Sequence, residues 1–122
     1  MYHEHEILTT PDGEEVQIDK KMVNLIRAIW NSGLKTSACC EDVGPRYQLH
    51  FQNSNFEYYM PLAYVGFNEH EDILKFIKIC LKARESFKEE YEKTIHHIII
   101  DRNCVEFDIW QIPYLEKVFS NK

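Results

Sequence analysis

The stretch Thr94-Ile95-His96-His97-Ile98-Ile99-Ile100-Asp101-Arg102-Asn103-Cys104-Val105-Glu106-Phe107-Asp108-Ile109-Trp110 decides the fold. Two runs rich in β-branched residues flank Arg102-Asn103, and a two-residue loop there makes an antiparallel hairpin of Thr94 to Asp101 with Cys104 to Trp110. Counting back from that loop, Asp101 faces Cys104, Ile100 faces Val105, Ile98 faces Phe107, and His97 faces Asp108. The period of two then places Ile98, Ile100, Val105 and Phe107 on the core side. His97 and Asp108 share the opposite face, within reach of an ion pair or hydrogen bond. Ile99 and Trp110 fall on that non-core face too.

Working outward, Pro113 suits the first turn of a short final helix over 112–120. Upstream, a long helix is expected from Glu69 to about Lys93, with Ile73, Phe76, Ile77, Cys80, Leu81, Phe87 and Tyr91 as its buried stripe. Phe56 to Phe67 reads as extended, and Pro61 within it implies an edge strand or a bend. Tyr47 to Gln52 alternates, with Tyr47, Leu49 and Phe51 inward and Gln48 and His50 outward. Leu34 to Cys40 alternates with Leu34, Ala38 and Cys40 on one face. Residues 5–10 and 14–18 form a first hairpin around Pro11-Asp12-Gly13. Asp19 then reads as an N-cap for a helix carrying Met22, Val23, Ile26, Ile29 and Trp30, which Gly33 stops. Helices beside a mainly antiparallel sheet give an α+β fold, a single domain over 1–122 with two long helices and a short C-terminal one.

The chain has 122 residues, with 14 Lys and Arg against 20 Asp and Glu and a net charge of -6. Such a length buries roughly two-thirds of its unfolded surface, enough for a core without disulfides or metal. The negative charge disfavours a grip on long nucleic acid, which needs clustered cations that release counterions. No run of 18 apolar residues suggests a membrane span. The polar start Met1-Tyr2-His3-Glu4-His5-Glu6 is unlike a targeting peptide, so the expected location is the cytoplasm.

The chemistry-bearing residues form no familiar catalytic set. His3 and His5 share a strand face and could bind a metal, but a frayed, solvated terminus is the simpler account. Cys39, Cys40, Cys80 and Cys104 lack zinc or redox spacing, and Cys80 reads as a small core hydrophobe. Glu41 and Asp42 beside Cys39 and Cys40 would raise thiol pKa and weaken a nucleophile. The four glycines sit at scattered turn positions, without a phosphate-loop fingerprint. No cofactor or metal is expected. Lys75, Lys78 and Lys82 share one face of the long helix and could meet phosphate, although a mixed solvated face is the simpler account. The arginines, at 27, 46, 84 and 102, are dispersed among two Trp, seven Tyr and seven Phe. Arginine forks onto phosphate and aromatic faces stack on bases.

Gly33, Thr36, Cys39 and Cys40 carry a resemblance. The segment 18–52 is similar to small proteins carried by phages and mobile elements of low-GC Gram-positive bacteria. Their pattern is a helix, a Gly, a Thr, then Cys-Cys and a Gly-containing loop. Asp42 and Val43 depart from it where such proteins often carry Gly and His, which removes any role for that His. The resemblance implies a phage setting rather than a reaction. Small proteins in that setting often act on host defence, by binding a defence protein or by sequestering a signal molecule, as anti-Thoeris sponges hold nucleotides without cleaving them.

The expectation is therefore a non-enzymatic homo-oligomer, a homodimer or higher, that binds a small anionic nucleotide-like ligand. Arg46 and Arg102 would contact phosphate, with Arg84 as a third cation. Phe51 or Trp110 would stack, and Glu41 or Asn103 would hydrogen-bond ribose or base. Trp110 and Ile99 on the non-core face motivate the oligomer. One alternative is a protein-binding inhibitor or adaptor with an acidic surface. Another is a small enzyme using His97 and Asp108, or the Cys39-Cys40-Glu41 turn.

Overall fold

A computed structural model describes residues 4–40, 62–86, 98–101 and 103–120, without the side chains of 40, 84–86, 98, 99 and 101. The chain opens with a hairpin of β1 (His5–Thr9) and β2 (Glu15–Asp19), paired Ile7 to Gln17 and Leu8 to Val16. Its turn is closed by the Gly13 amide donating to Thr10 O at 2.9 Å. A 3₁₀ turn, Lys20–Met22, leads into α1 (Val23–Asn31). Asp19 stands at the N-cap position but its side chain makes no capping bond. Instead its carboxylate meets the His5 imidazole at 2.9 Å across the hairpin, so His5 belongs to a paired strand and not to a loose end.

Of the expected α1 stripe, Met22, Ile26 and Ile29 are fully buried, Val23 nearly so and Trp30 half-buried; Leu25, outside that stripe, is fully buried too. Gly33, at φ 88°, supplies the left-handed stop. Next come β3 (Thr36–Cys40), β4 (Leu62–Phe67), α2 (His70–Ser86), β5 (Ile98–Asp101), β6 (Cys104–Asp108) and α3 (Ile112–Ser120). The sheet order is β3-β4-β6-β5 and every neighbouring pair is antiparallel. The fold is α+β, with two antiparallel sheets and three α-helices among the described residues.

The C-terminal hairpin has the register counted from its two-residue loop: Asp101 with Cys104, Ile100 with Val105, Ile98 with Phe107. Val105 and Phe107 are fully buried. Ile100, directly opposite Val105, is nevertheless 50% exposed, because β5 lies last in the strand order. β6 ends at Asp108, and Trp110 belongs to a 3₁₀ turn before α3, not to the strand. α3 covers residues 112–120 as expected, with Pro113 in its first turn.

Three other expectations are corrected. β4 starts directly after Pro61 but lies inside the sheet, paired on both sides, so it is no edge strand. In β3, Thr36 pairs with Phe67 and Ala38 with Gly66, leaving Ser37 as a bulged extra residue. The bulge reverses side-chain parity: Leu34 is buried, yet Ala38 is exposed and Cys39 packs against the core. In α2, Ile73, Phe76 and Cys80 are buried and Ile77 half-buried, but Leu81 is 57% exposed. The expected strand Tyr47 to Gln52, the positions Phe87 and Tyr91, and Thr94 to His97 lie outside the described residues.

One hydrophobic cluster unites the hairpin, all three helices and the sheet, from Leu8 and Ile18 through Ile26 and Val65 to Phe76 and Leu115. Phe76 sits in its middle, edge-on to Phe67 at 5.7 Å and tilted against Phe119 at 4.9 Å. A buried carboxylate ties the connection after α1 to the first turn of α2. The Lys35 amide donates to Asp72 Oδ2 at 3.4 Å, where the helix N-terminus favours a negative group.

Candidate functional site

The tip of the first hairpin folds over the last turn of α1, and an open groove of about 600 Å³ forms between them. On the helix side stand Arg27, Trp30 and Asn31, and on the hairpin side Ile7, Thr9 and Pro11. The spacing i, i+3, i+4 puts the three helical residues on one face. Trp30 is the fixed element. Its ring is half-buried, and its Nε1 donates to Thr36 Oγ1 at 2.9 Å, which sets the plane of the indole. Arg27 is exposed and makes no ion pair among the described residues, so its guanidinium is available to an incoming anion.

A second depression, of about 190 Å³, adjoins the groove and shares Trp30 and Pro11 with it. Its walls include Asp12, Glu14, Lys35, Thr36, Ser37 and Asn68. Lys35 Nζ approaches Asp12 Oδ1 at 3.6 Å, both groups being largely solvated. The cleft around Trp30 thus has the exposed Arg27 at one end and Asp12, Glu14 and Lys35 at the other. An anionic group fits the Arg27 end, a flat ring fits the indole and Pro11, and hydrogen-bond donors fit the acidic end.

Of the residues expected in a site, Glu41, Arg46, Phe51 and Arg102 and the side chain of Arg84 lie outside the described residues. Trp110 is 62% exposed and Asn103 is exposed, and neither lines the Trp30 cleft. The Asn103 carbonyl accepts from the Phe67 amide at 2.7 Å, a bond that joins the β5–β6 loop to the end of β4. Sequence reasoning missed the cleft because it counted Trp30 only as core and Arg27 only as one of several scattered arginines. The i, i+3, i+4 pattern of Arg27, Trp30 and Asn31 at the margin of the apolar stripe was the available signal.

The pair His97 and Asp108 is not described, since His97 lies outside the described residues, as does Glu41 of the Cys39-Cys40-Glu41 turn. Asp108 is half-buried at the end of β6, opposite Leu62. Cys39 and Cys104 are half-buried, and Cys80 is buried with its thiol pushed up to about 12 by desolvation. Burial also raises the Glu116 carboxyl above its ordinary value. Among the described residues no group of three or more His, Cys, Asp or Glu is placed to hold a metal ion. Nor is any helix there long and apolar enough to cross a membrane. Comparison with protein families, curated proteins and solved structures finds no match to the chain.

Proposed function

We propose that this protein binds and sequesters a small nucleotide-like anion in the cleft around Trp30, without changing it chemically. The observation that carries the reading is an exposed Arg27, without an ion pair among the described residues, beside an indole held in place by Thr36. In this reading Arg27 takes phosphate, Trp30 and Pro11 sandwich or flank the base, and Asn31 and Thr9 supply hydrogen bonds. The seven residues expected from the sequence remain candidates for a larger site only where a bound ligand reaches them. The protein acts as a cytoplasmic homo-oligomer, and the resemblance of residues 18–52 to phage-borne proteins makes counter-defence the setting, with a signalling nucleotide as the cargo.

Titration calorimetry tests this with AMP, cyclic ADP-ribose isomers, and cyclic di- and trinucleotides. At least one binds, and Arg27→Ala weakens it by roughly 10- to 100-fold, the range of a charge-assisted hydrogen bond. Trp30→Phe keeps a smaller ring and weakens binding less than Trp30→Ala. Absence of binding by every probe, or binding indifferent to Arg27 and Trp30, sinks the proposal. Recovery of unaltered ligand after incubation separates binding from catalysis.

A further inference from the structure

A shallow trough of about 360 Å³ runs between the end of α1 and α2, with Leu34 and Ile79 on its floor and Lys75, Lys78 and Lys82 along its rim. All three lysines are exposed, and none has an ion pair among the described residues. Beside them on the same helix, Leu74 and Leu81 are each 57% exposed, one heptad apart. A protein with a net charge of -6 thus gathers three exposed lysines and two exposed leucines on one helix face. Elsewhere, the segment from Glu4 to Asp19 holds six acids and no Lys or Arg. Glu4 meets Lys20 at 3.5 Å, Asp12 meets Lys35 at 3.6 Å and Asp19 is buried against His5, so Glu6, Glu14 and Glu15 are the exposed carboxylates this hairpin offers. That hairpin also bears Ile7, 66% exposed.

We infer that the protein forms a two-fold dimer in which the acidic hairpin of each copy docks on the lysine-rimmed trough of the other. The two surfaces complement each other in charge, and each offers apolar side chains to bury. They also border one another on the molecule: Leu34 lines the trough, and the next residue, Lys35, reaches Asp12 of the hairpin at 3.6 Å. A two-fold axis through that border sets each patch on its complement, so the contact is isologous and closes at two copies. A small anion is the poorer occupant, since solvated lysines on long stems form no built pocket. An anionic bilayer is poorer too, because the chain's excess of acids opposes it while a dimer brings only the complementary patches within a Debye length. Ile7 and Glu14 also line the cleft around Trp30, so the oligomeric state is read without added ligand.

Charge swapping tests it. Sedimentation from about 1 to about 100 µM, a range that brackets a micromolar dissociation constant, shows a dimer for the unaltered protein. The dimer weakens as salt rises. Lys78→Glu with Lys82→Glu makes both patches acidic, and Glu14→Lys with Glu15→Lys turns the hairpin tip basic. Each variant alone is monomeric, yet the two mixed in equal amounts form a heterodimer, because both contacts regain opposite charge. The altered residues are exposed, and circular dichroism verifies that each variant folds. Should one misfold, the salt dependence of the unaltered protein decides. A monomer throughout the range, a dimer insensitive to salt or to either pair of substitutions, or a mixture that stays monomeric overturns the inference.

Discussion

Trp30 Nε1 donates to Thr36 Oγ1 at 2.9 Å, and this bond locks the last turn of α1 to the first residue of the sheet. It satisfies a half-buried indole N–H that would otherwise lose its water. Thr36→Val keeps the shape and β-branching of the side chain but removes the acceptor. The expected loss is about 1 kcal/mol of folding stability, the net worth of one such bond. Urea unfolding measures that loss. The substitution also frees the indole to turn, so ligand binding in the Trp30 cleft weakens while the ring itself remains. Unchanged stability with unchanged binding would show that Thr36 does not hold the platform.

Gly66 lies opposite the bulge in β3, and a Cβ built there would stand 2.8 Å from Ser37 Oγ and 3.4 Å from Cys104 Sγ. The glycine is therefore required by close approach across the sheet. Gly66→Ala forces the Ser37 hydroxyl to rotate away and crowds the Cys104 thiol, at an expected cost of about 1–3 kcal/mol, the usual range for overpacking. In a Ser37→Ala background the same change costs less, since the nearest atom is gone. A double-mutant cycle with urea unfolding reads the difference. Equal costs in both backgrounds would mean that Ser37 is not the obstacle.

The same bulge shows what the sequence could and could not disclose. The register of the C-terminal hairpin from Asp101 and Cys104 to Ile98 and Phe107 was legible because a two-residue loop at Arg102-Asn103 dictates it, whereas the exposure of Ile100 and the strand end at Asp108 were not. The α1 stripe and its Gly33 stop are equally local. The parity of β3 is not local: Ser37 is extruded because Phe67 and Gly66 leave it no partner, and that follows from β4, far along the chain. The cleft is a tertiary product as well. Arg27, Trp30 and Asn31 could be placed on one helix face from spacing alone, but nothing in the sequence says that Pro11 and Thr9 fold over them.

Cys80 offers the last prediction, one of pH. Its side chain is buried on the core stripe of α2, and desolvation lifts the thiol from 9.0 to about 12. The thiolate is the reactive form, so at pH 8 a thiol reagent modifies the half-buried Cys39 and Cys104 before Cys80 in the folded protein. The raised value also makes stability depend on pH. Between 9.0 and about 12 the unfolded chain gives up this proton while the folded protein keeps it. The contribution is therefore complete below pH 9.0 and drains away as the pH climbs toward 12. In that window the slope attributable to this thiol is on the order of 1.4 kcal/mol per pH unit. Other groups titrate there too, so the measurement is a difference. Cys80→Ala lowers stability at neutral pH by removing buried sulfur, but its stability falls less steeply than that of the unaltered protein across the alkaline range. Parallel alkaline profiles for the two proteins would show that the folded state does not hold the Cys80 proton.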